Sequence, residues 1–222
     1  MGKQIAIDGP AGAGKSTIAK LLSKKKGFIY VDTGAMYRAI ALFILENGVA
    51  ADDEDAVKNA IPGADVRLKY MGEKQCVLLN GNDVTDRLRT EEVGNVASKV
   101  SAYPSVRECL AGLQRRTAEE NDVVMDGRDI GTVILPNAPL KVFLTASVSV
   151  RAKRRFLELK EKGEECDIKK IEADIRERDE RDMNRETAPL KQAEDAVLLD
   201  SSDLSIDEVV SRLEELCGER GL

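Results

Sequence analysis

Five apolar runs along the chain are continuous rather than alternating: QIAID (4–8), FIYVD (28–32), DVVMD (122–126), KVFLT (141–145) and AVLLD (196–200). A strand covered by helices on both faces needs no polar side, so these runs predict the strands of a buried parallel sheet. Most of them end in Asp or Thr. That places polar groups at the carboxyl edge, where open α/β sheets bind ligands. Between the runs the pattern lengthens to the helical period. STIAKLLSKKK follows the first strand, and further helices are expected over 90–101 and over 104–119, the latter opened by Pro104. A last helix is expected over 206–217, where Ile206, Val209, Val210, Leu213 and Leu216 recur after the cap-rich DSSDLS.

The texture changes between residues 61 and 89. ADVRLKY, QCVLLNG and NDVTDRLR are short strand-like pieces, separated by MGEK and NGND, which suit hairpin turns. The pattern predicts an α/β fold: a five-stranded parallel sheet flanked by helices, carrying a small antiparallel β insert. The core is expected over 1–60 and 98–222, and the insert over 61–97. Residues 151–187 are dense in charge and rich in arginine, with Gly163 expected to separate two helices of a short lid.

Composition narrows the chemistry. A net charge of −6 argues against a general binder of nucleic acid, which leaves a basic footprint. Cys76, Cys109, Cys166 and Cys217 lie far apart without a C-x-x-C pair, and are expected to be reduced packing thiols of a cytoplasmic protein. No run is long enough to suggest a signal peptide or a membrane span. With no histidine in the chain, Ser-His and Cys-His relays and histidine-ligated metals are excluded.

One motif carries a definite mechanism. GPAGAGKS, Gly9 to Ser16, fits G-x-x-x-x-G-K-[ST], with a strand before it and a helix after it. Its glycines let successive backbone N–H groups face phosphate oxygens, and the helix N-terminus adds positive potential. Gly9, Pro10, Ala11, Gly12, Ala13, Gly14, Lys15, Ser16 and Thr17 are therefore the expected nucleotide-binding residues. Lys15 is expected to reach the β- and γ-phosphates, and the Ser16 hydroxyl to ligate Mg²⁺. The loop identifies a nucleotide binder without saying what the nucleotide is for. No Asn-Lys dipeptide supplies the guanine reader of a GTPase, and a small-molecule kinase suits the length.

Other residues suggest an acceptor. VDTGAMYRA (31–39) offers Thr33 and Arg38 after the second strand, either for an anionic substrate or as plain helix capping. Arg178, Asp182 and Arg185 are spaced i, i+4, i+7, and Arg151 and Arg155 i, i+4, so each set shares a helix face. Those arginines either lace a solvated helix or neutralise a transferring phosphoryl group from a closing lid. In VVMDGRDIGT (123–132) the carboxylates and guanidinium of Asp126, Arg128 and Asp129 offer a metal site, a substrate reader or mutual ion pairs. Asp126 is open between orienting Mg²⁺ through water and bracing an arginine, with the second favoured. Gly127 is expected to permit a sharp turn.

Together, IDGPAGAGKST, DTGAMYR, ASKVSAYPSVRE, DGRDIGTV, ERDERDMNR and LLDSSDLS resemble bacterial cytidylate kinases, within the nucleoside monophosphate kinase family. The resemblance spans nearly the whole chain, including the insert, which is similar to that family's enlarged monophosphate-binding region. It implies transfer of the γ-phosphoryl of ATP, bound by residues 9–17, to CMP or dCMP, with Mg²⁺. It also implies residue roles. Arg38 and Arg128 are expected to hold the acceptor phosphate. Arg151, Arg155 and Arg178, with Lys15, are expected to act on the transferring group. Ser98, Arg178 and Asp182 are expected to contact the sugar, and Thr33, Arg107, Asp129 and Arg185 the base. A carboxylate such as Asp129 suits the cytosine amine, while a guanidinium suits N3 or O2. The protein is expected to be a cytoplasmic monomer without nucleic-acid or membrane partners. Two rivals are a P-loop kinase acting on UMP as well as CMP or on a non-nucleotide acid or alcohol, and a nucleotide-binding switch or regulatory protein that hydrolyses ATP slowly.

Overall fold

The structure, a computed structural model, describes residues 2–72, 74–161 and 163–222. Its centre is β1 (Gln4–Asp8), in which every residue is buried. Strands β2 (Ile29–Asp32), β6 (Val123–Gly127), β7 (Leu140–Thr145) and β8 (Val197–Asp200) complete a parallel sheet of order β2-β6-β1-β7-β8. The five continuous apolar runs are these five strands, each within one residue of its expected limits at either end. Ile5, Ile7, Val124, Leu140 and Leu144 pack against Ile18 and Leu22 on one face, and Ala6, Val31, Met125 and Ile130 fill the other. That two-sided burial is why the runs do not alternate.

Helix α1 (Lys15–Lys26) follows β1, α2 (Thr33–Glu46) follows β2, and α3 (Glu54–Ala60) leads to the insert. There β3 (Val66–Met71), β4 (Lys74–Leu79) and β5 (Asn82–Asp83) form a separate antiparallel sheet. Asn80 and Gly81 both have positive φ (49° and 82°), as a two-residue hairpin requires. Glu73, in the expected MGEK turn, lies outside the described residues. The insert shares a core with the parent fold: Val77, Leu79, Val84 and Leu88 pack with Met36, Ile40 and Ile44. Helix α4 (Glu91–Val100) runs across residue 97, the expected limit of the insert, and α5 (Pro104–Glu120) returns the chain to β6.

Helices α6 (Val148–Glu161) and α7 (Ile168–Asn184) form the arginine-rich pair. They pack through Ala152, Phe156, Leu159, Ile171 and Ile175, and Gly163 between them has φ +75°. Helix α8 (Ile206–Glu219) closes the sheet, opened by a capping box between Ser205 and Glu208. Among the described residues no helix is long and apolar enough to cross a membrane. The cysteines are free as expected, but only Cys76 and Cys217 are buried. Cys109 is exposed, so packing does not account for all four.

Candidate active site

The P-loop leaves β1 and DGRD leaves β6, and these strands are neighbours in register, Asp8 opposite Gly127. Both segments therefore open onto the same carboxyl edge. There they line a cleft of about 680 Å³, together with the start of α2, the Ser98–Arg107 segment and the lid helices.

At one end of the cleft, Gly14 caps α1 in the left-handed region (φ 87°) with no side-chain cap and no acidic residue in the first turn. The helix thus presents unoccupied N–H groups and its positive end to the cleft. Gly9 is fixed by close approach as well as by its φ of +147°, because a Cβ there would lie 1.9 Å from the Leu144 carbonyl oxygen. Lys15 is buried, and its Nζ donates 2.7 Å to the Pro10 carbonyl. Burial, then the charges of Arg128 and Arg178, push its pKa well below the ordinary lysine value. Arg178 is held down to about 10 by burial and by Arg128, and its buried Nε has no hydrogen-bond partner among the described residues. Arg38 Nε is likewise buried and unpartnered. Cations crowd one another here, and an anion would relieve them.

Beside this cluster, Ser16 Oγ donates 3.0 Å to Asp126 Oδ2, and the Tyr30 hydroxyl donates 2.8 Å to Asp126 Oδ1. Asp126 therefore does not brace an arginine, as the favoured reading of the sequence had it; it faces the P-loop hydroxyl. Burial and the neighbouring Asp32 raise its pKa to about 6, a shift that Lys15 opposes. A hydroxyl and a carboxylate are hard oxygen donors, which fits Mg²⁺. No group of three or more acidic or sulfur ligands occurs among the described residues. An ion here would draw its remaining oxygens from phosphate and water, the usual habit of Mg²⁺ at nucleotide sites.

At the opposite end the charged groups converge on one carboxylate, although Arg185 Nη2 is buried without a hydrogen-bond partner among the described residues, and burial and Arg107 lower the Arg185 pKa. Arg107 donates to Asp129 Oδ2 and to the Ser101 carbonyl, while Arg185 lies 3.6 Å from Asp129 Oδ1 and donates to the Ala188 carbonyl. All three charged side chains are buried. Tyr37 stands over Arg107, 5.6 Å from ring centroid to guanidinium, and its hydroxyl is pushed up to about 12 chiefly by burial. In the middle, Arg128 Nε donates 2.9 Å to Asp182 Oδ2. Although burial works against it, Arg128 and Arg178 hold the Asp182 carboxyl below the usual range.

All the residues expected from the sequence except Gly9 and Pro10 line this one cleft, though not all in one manner. Thr33 is buried, lines the cleft and donates 2.7 Å to the Asp126 carbonyl. Arg151 is buried and braced: it donates to the Ala146 and Ala11 carbonyls and pairs with Asp179 at 2.7 Å, so it ties the P-loop to both lid helices. Arg155 is more open and pairs with Glu158. Ser98 Oγ accepts from Arg181, and Arg185 sits just past the end of α7. Gly127 is required by packing rather than by a turn, since a Cβ there would lie 2.6 Å from Ile130 Cδ1 and 2.8 Å from Thr33 Oγ1.

Sequence reasoning missed several neighbours. Arg154 lines the cleft and donates to Ser201, and its place beside Arg151 and Arg155 was the available signal. Asp8, the last residue of β1, accepts from the backbone N–H groups of Ile130 (2.8 Å) and Gly131 (2.7 Å) and so pins the short π-helix Ile130–Ile134 behind Arg128 and Asp129. Burial lifts its pKa to about 6 even though those two bonds oppose the shift.

Comparison with known proteins decides the family. The cytidylate kinase family profile matches residues 5–219. The chain belongs to the cytidylate kinase family. It is 51% identical to a cytidylate kinase of Caldicellulosiruptor saccharolyticus over 96% of this chain and 94% of that protein. It is 48% identical to one from Carboxydothermus hydrogenoformans (98% of each chain) and 51% identical to one from Lactobacillus johnsonii (96% and 93%). Among solved structures, an uncharacterized protein from Eubacterium ventriosum shares the fold, with a TM-score of 0.52 at 12% identity over 96% of this chain and 97% of that one.

Proposed function

We propose that the protein transfers the γ-phosphoryl group of ATP to CMP or dCMP, giving ADP and the corresponding diphosphate. The observation that carries this reading is the division of one cleft into an end where cations crowd one another and an end where arginines converge on a buried carboxylate. Phosphates suit the first and a polar base suits the second.

The acceptor is already an anion, with a second phosphate pKa of about 6, so the reaction needs no strong base. Positioning and charge neutralisation suffice. The P-loop amides and Lys15 bind the donor phosphates, and Lys15 follows the negative charge of the transferring group. Arg178 and Arg155 approach that group from the lid, with Arg151 holding the lid to the P-loop. Arg38 and Arg128 hold the acceptor phosphate. Ser16 and Asp126 would hold Mg²⁺, which when bound neutralises donor oxygens as charge builds on them. The Asp126 carboxylate is mostly ionised above about pH 6 and would be available as a ligand there.

At the other end, Ser98, Arg178 and Asp182 take the sugar. Asp129 accepts from the cytosine N4 amine, and Arg107, Arg185 and Thr33 satisfy the remaining edge of the ring. Uracil presents an acceptor where cytosine has the amine, so it meets the Asp129 carboxylate without a shared proton. Sites built on buried hydrogen bonds discriminate by up to about 10⁴–10⁵ against partners that leave them unpaired. On this reading the protein works in the cytoplasm as a monomer, in pyrimidine nucleotide metabolism.

The test is a panel of nucleoside monophosphates assayed with ATP by coupled ADP detection. CMP and dCMP are expected to be turned over well, and UMP at least about 100-fold more weakly in kcat/KM. Equal use of CMP and UMP, or ADP release without any acceptor, contradicts the reading.

A further inference from the structure

Strand β2 is an edge of the parallel sheet, so its outer backbone groups have no strand beside them. Near its last residue a side chain of the insert takes that place. Gln75, on β4, accepts from the Asp32 N–H through Oε1 at 3.0 Å and donates to the Asp32 carbonyl through Nε2 at 3.4 Å. An amide side chain is thus laid against a peptide as a strand would be. The two sheets otherwise face one another across a cavity of about 780 Å³, lined by Gln75 and Tyr70 from the insert and by Tyr30, Asp32 and Arg38 from the core.

Asp32 also holds the start of α2. Its Oδ1 caps the helix by accepting from the Ala35 N–H at 2.8 Å, and its carboxylate pairs with Arg38 at 3.4 Å. The next residue, Thr33, fastens the same turn to β6 through the Asp126 carbonyl. Arg38 lines both the active cleft and the cavity behind it, and its Nε has no hydrogen-bond partner among the described residues. The peptide that Gln75 grips therefore belongs to the residue that orients Arg38.

We infer that Gln75 is a positioning residue for the acceptor: it fixes the Asp32 peptide, and with it the direction of the Arg38 guanidinium, and so links the placement of the insert to the grip on the acceptor phosphate. Gln75 touches no substrate in this account and acts only through Asp32 and Arg38. Gln75 makes no hydrogen bond to the P-loop among the described residues, and the donor end meets this turn through the Thr33–Asp126 contact, which Gln75 does not make. The inference rests on Arg38 holding the acceptor phosphate.

The experiment uses the full chain with Gln75→Leu, which keeps bulk and removes both hydrogen bonds, and Gln75→Asn, which is too short to reach. Both are assayed alone and in an Arg38→Ala background. With Arg38 present, each Gln75 variant is expected to raise KM for CMP about 5- to 20-fold, consistent with losing hydrogen bonds that hold a charged group. KM for ATP should stay within about twofold, since Gln75 makes no hydrogen bond to its site. In the Arg38→Ala background the same change should raise KM for CMP by less than about twofold, because the route of coupling is gone. An unchanged KM for CMP, equal losses for both substrates, or the same increase in both backgrounds overturns the inference. If one variant fails to fold, the other decides. Should Arg38→Ala alone leave KM for CMP unmoved, the assignment of Arg38 is wrong, a result distinct from failure of Gln75.

Discussion

The two ends of the cleft are built on opposite electrostatic plans. Around Lys15 and Arg178, buried cations crowd one another, and the burial and repulsion show in their lowered pKa values and in an unpartnered guanidinium nitrogen. Around Asp129, two buried arginines share one carboxylate. The first end leaves Arg178 Nε and Arg38 Nε buried without hydrogen-bond partners among the described residues, whereas at the second the arginines converge on the Asp129 carboxylate and leave Arg185 Nη2 without one. A phosphate chain brings charge and needs cations to meet it. A nucleobase is neutral and needs fixed donors and acceptors, which mutual pairing holds in place before the ligand arrives.

That contrast can be broken most severely at Lys15. Lys15→Ala should lower kcat by about 10³-fold or more, the scale of losing one preorganised charge on a transition state, with KM for CMP changed only a few-fold. Steady-state kinetics decide it, and near-normal turnover would remove the P-loop from the mechanism. Next is the paired end. Arg107→Leu leaves Asp129 buried with only the longer Arg185 contact, so stability should fall by about 3–5 kcal/mol, read as the shift in urea midpoint.

Acidity sharpens the same comparison. The folded-state pKa of Asp126, about 6, lies above the ordinary aspartate value near 3.9. The native state therefore holds this proton more tightly than the unfolded chain does. The contribution of Asp126 to stability is fully present below about pH 4 and is lost as pH rises through about 6, amounting to about 2–3 kcal/mol. Urea unfolding of the ligand-free native protein and of Asp126→Asn should show the variant gaining relative stability across that window. Parallel curves would refute the shift. In the enzyme assay, kcat/KM for ATP with Mg²⁺ should decline below about pH 6, because the ion needs the carboxylate ionised.

The smallest effect separates the ends most cleanly. Arg178→Leu removes a cation from the crowded end, so thermal stability of the ligand-free protein should rise by about 1–2 kcal/mol, or about 2–8 °C in Tm, even as kcat falls. A loss of stability comparable to that of Arg107→Leu would mean that the two ends do not differ.

Much of this was legible in the chain, for identifiable reasons. Continuous apolar runs such as QIAID and DVVMD specify buried parallel strands because they are short and end in a charged residue, whereas the longer run AIALFIL (39–45) is part of helix α2. The P-loop could be placed because its chemistry needs a fixed order of residues, and DGRD because it lies where a buried strand ends. What stayed hidden depends on tertiary neighbours. Asp126 was expected beside an arginine, yet Ser16 and Tyr30, 110 and 96 residues away in sequence, face it instead. Asp8 looks like an ordinary strand end until Ile130 and Gly131 turn their N–H groups onto it. Arg151 shared a helix face with Arg155, but only the packed structure shows that it is tied to the Ala11 carbonyl and Asp179. Gly127 was expected for its backbone freedom and is needed for its missing side chain.

Asp129 joins the two halves of the account, since it pairs with the arginines and is assigned to the cytosine amine. The most direct measurement is the ratio of kcat/KM for CMP to that for UMP, in the native protein and in Asp129→Asn. The native ratio should exceed about 100, and the variant, with an amide able to donate to the uracil O4, should bring it to within about tenfold of unity. A native ratio near one, or a variant that keeps the native ratio, would contradict the assignment of Asp129 as the residue that reads the base.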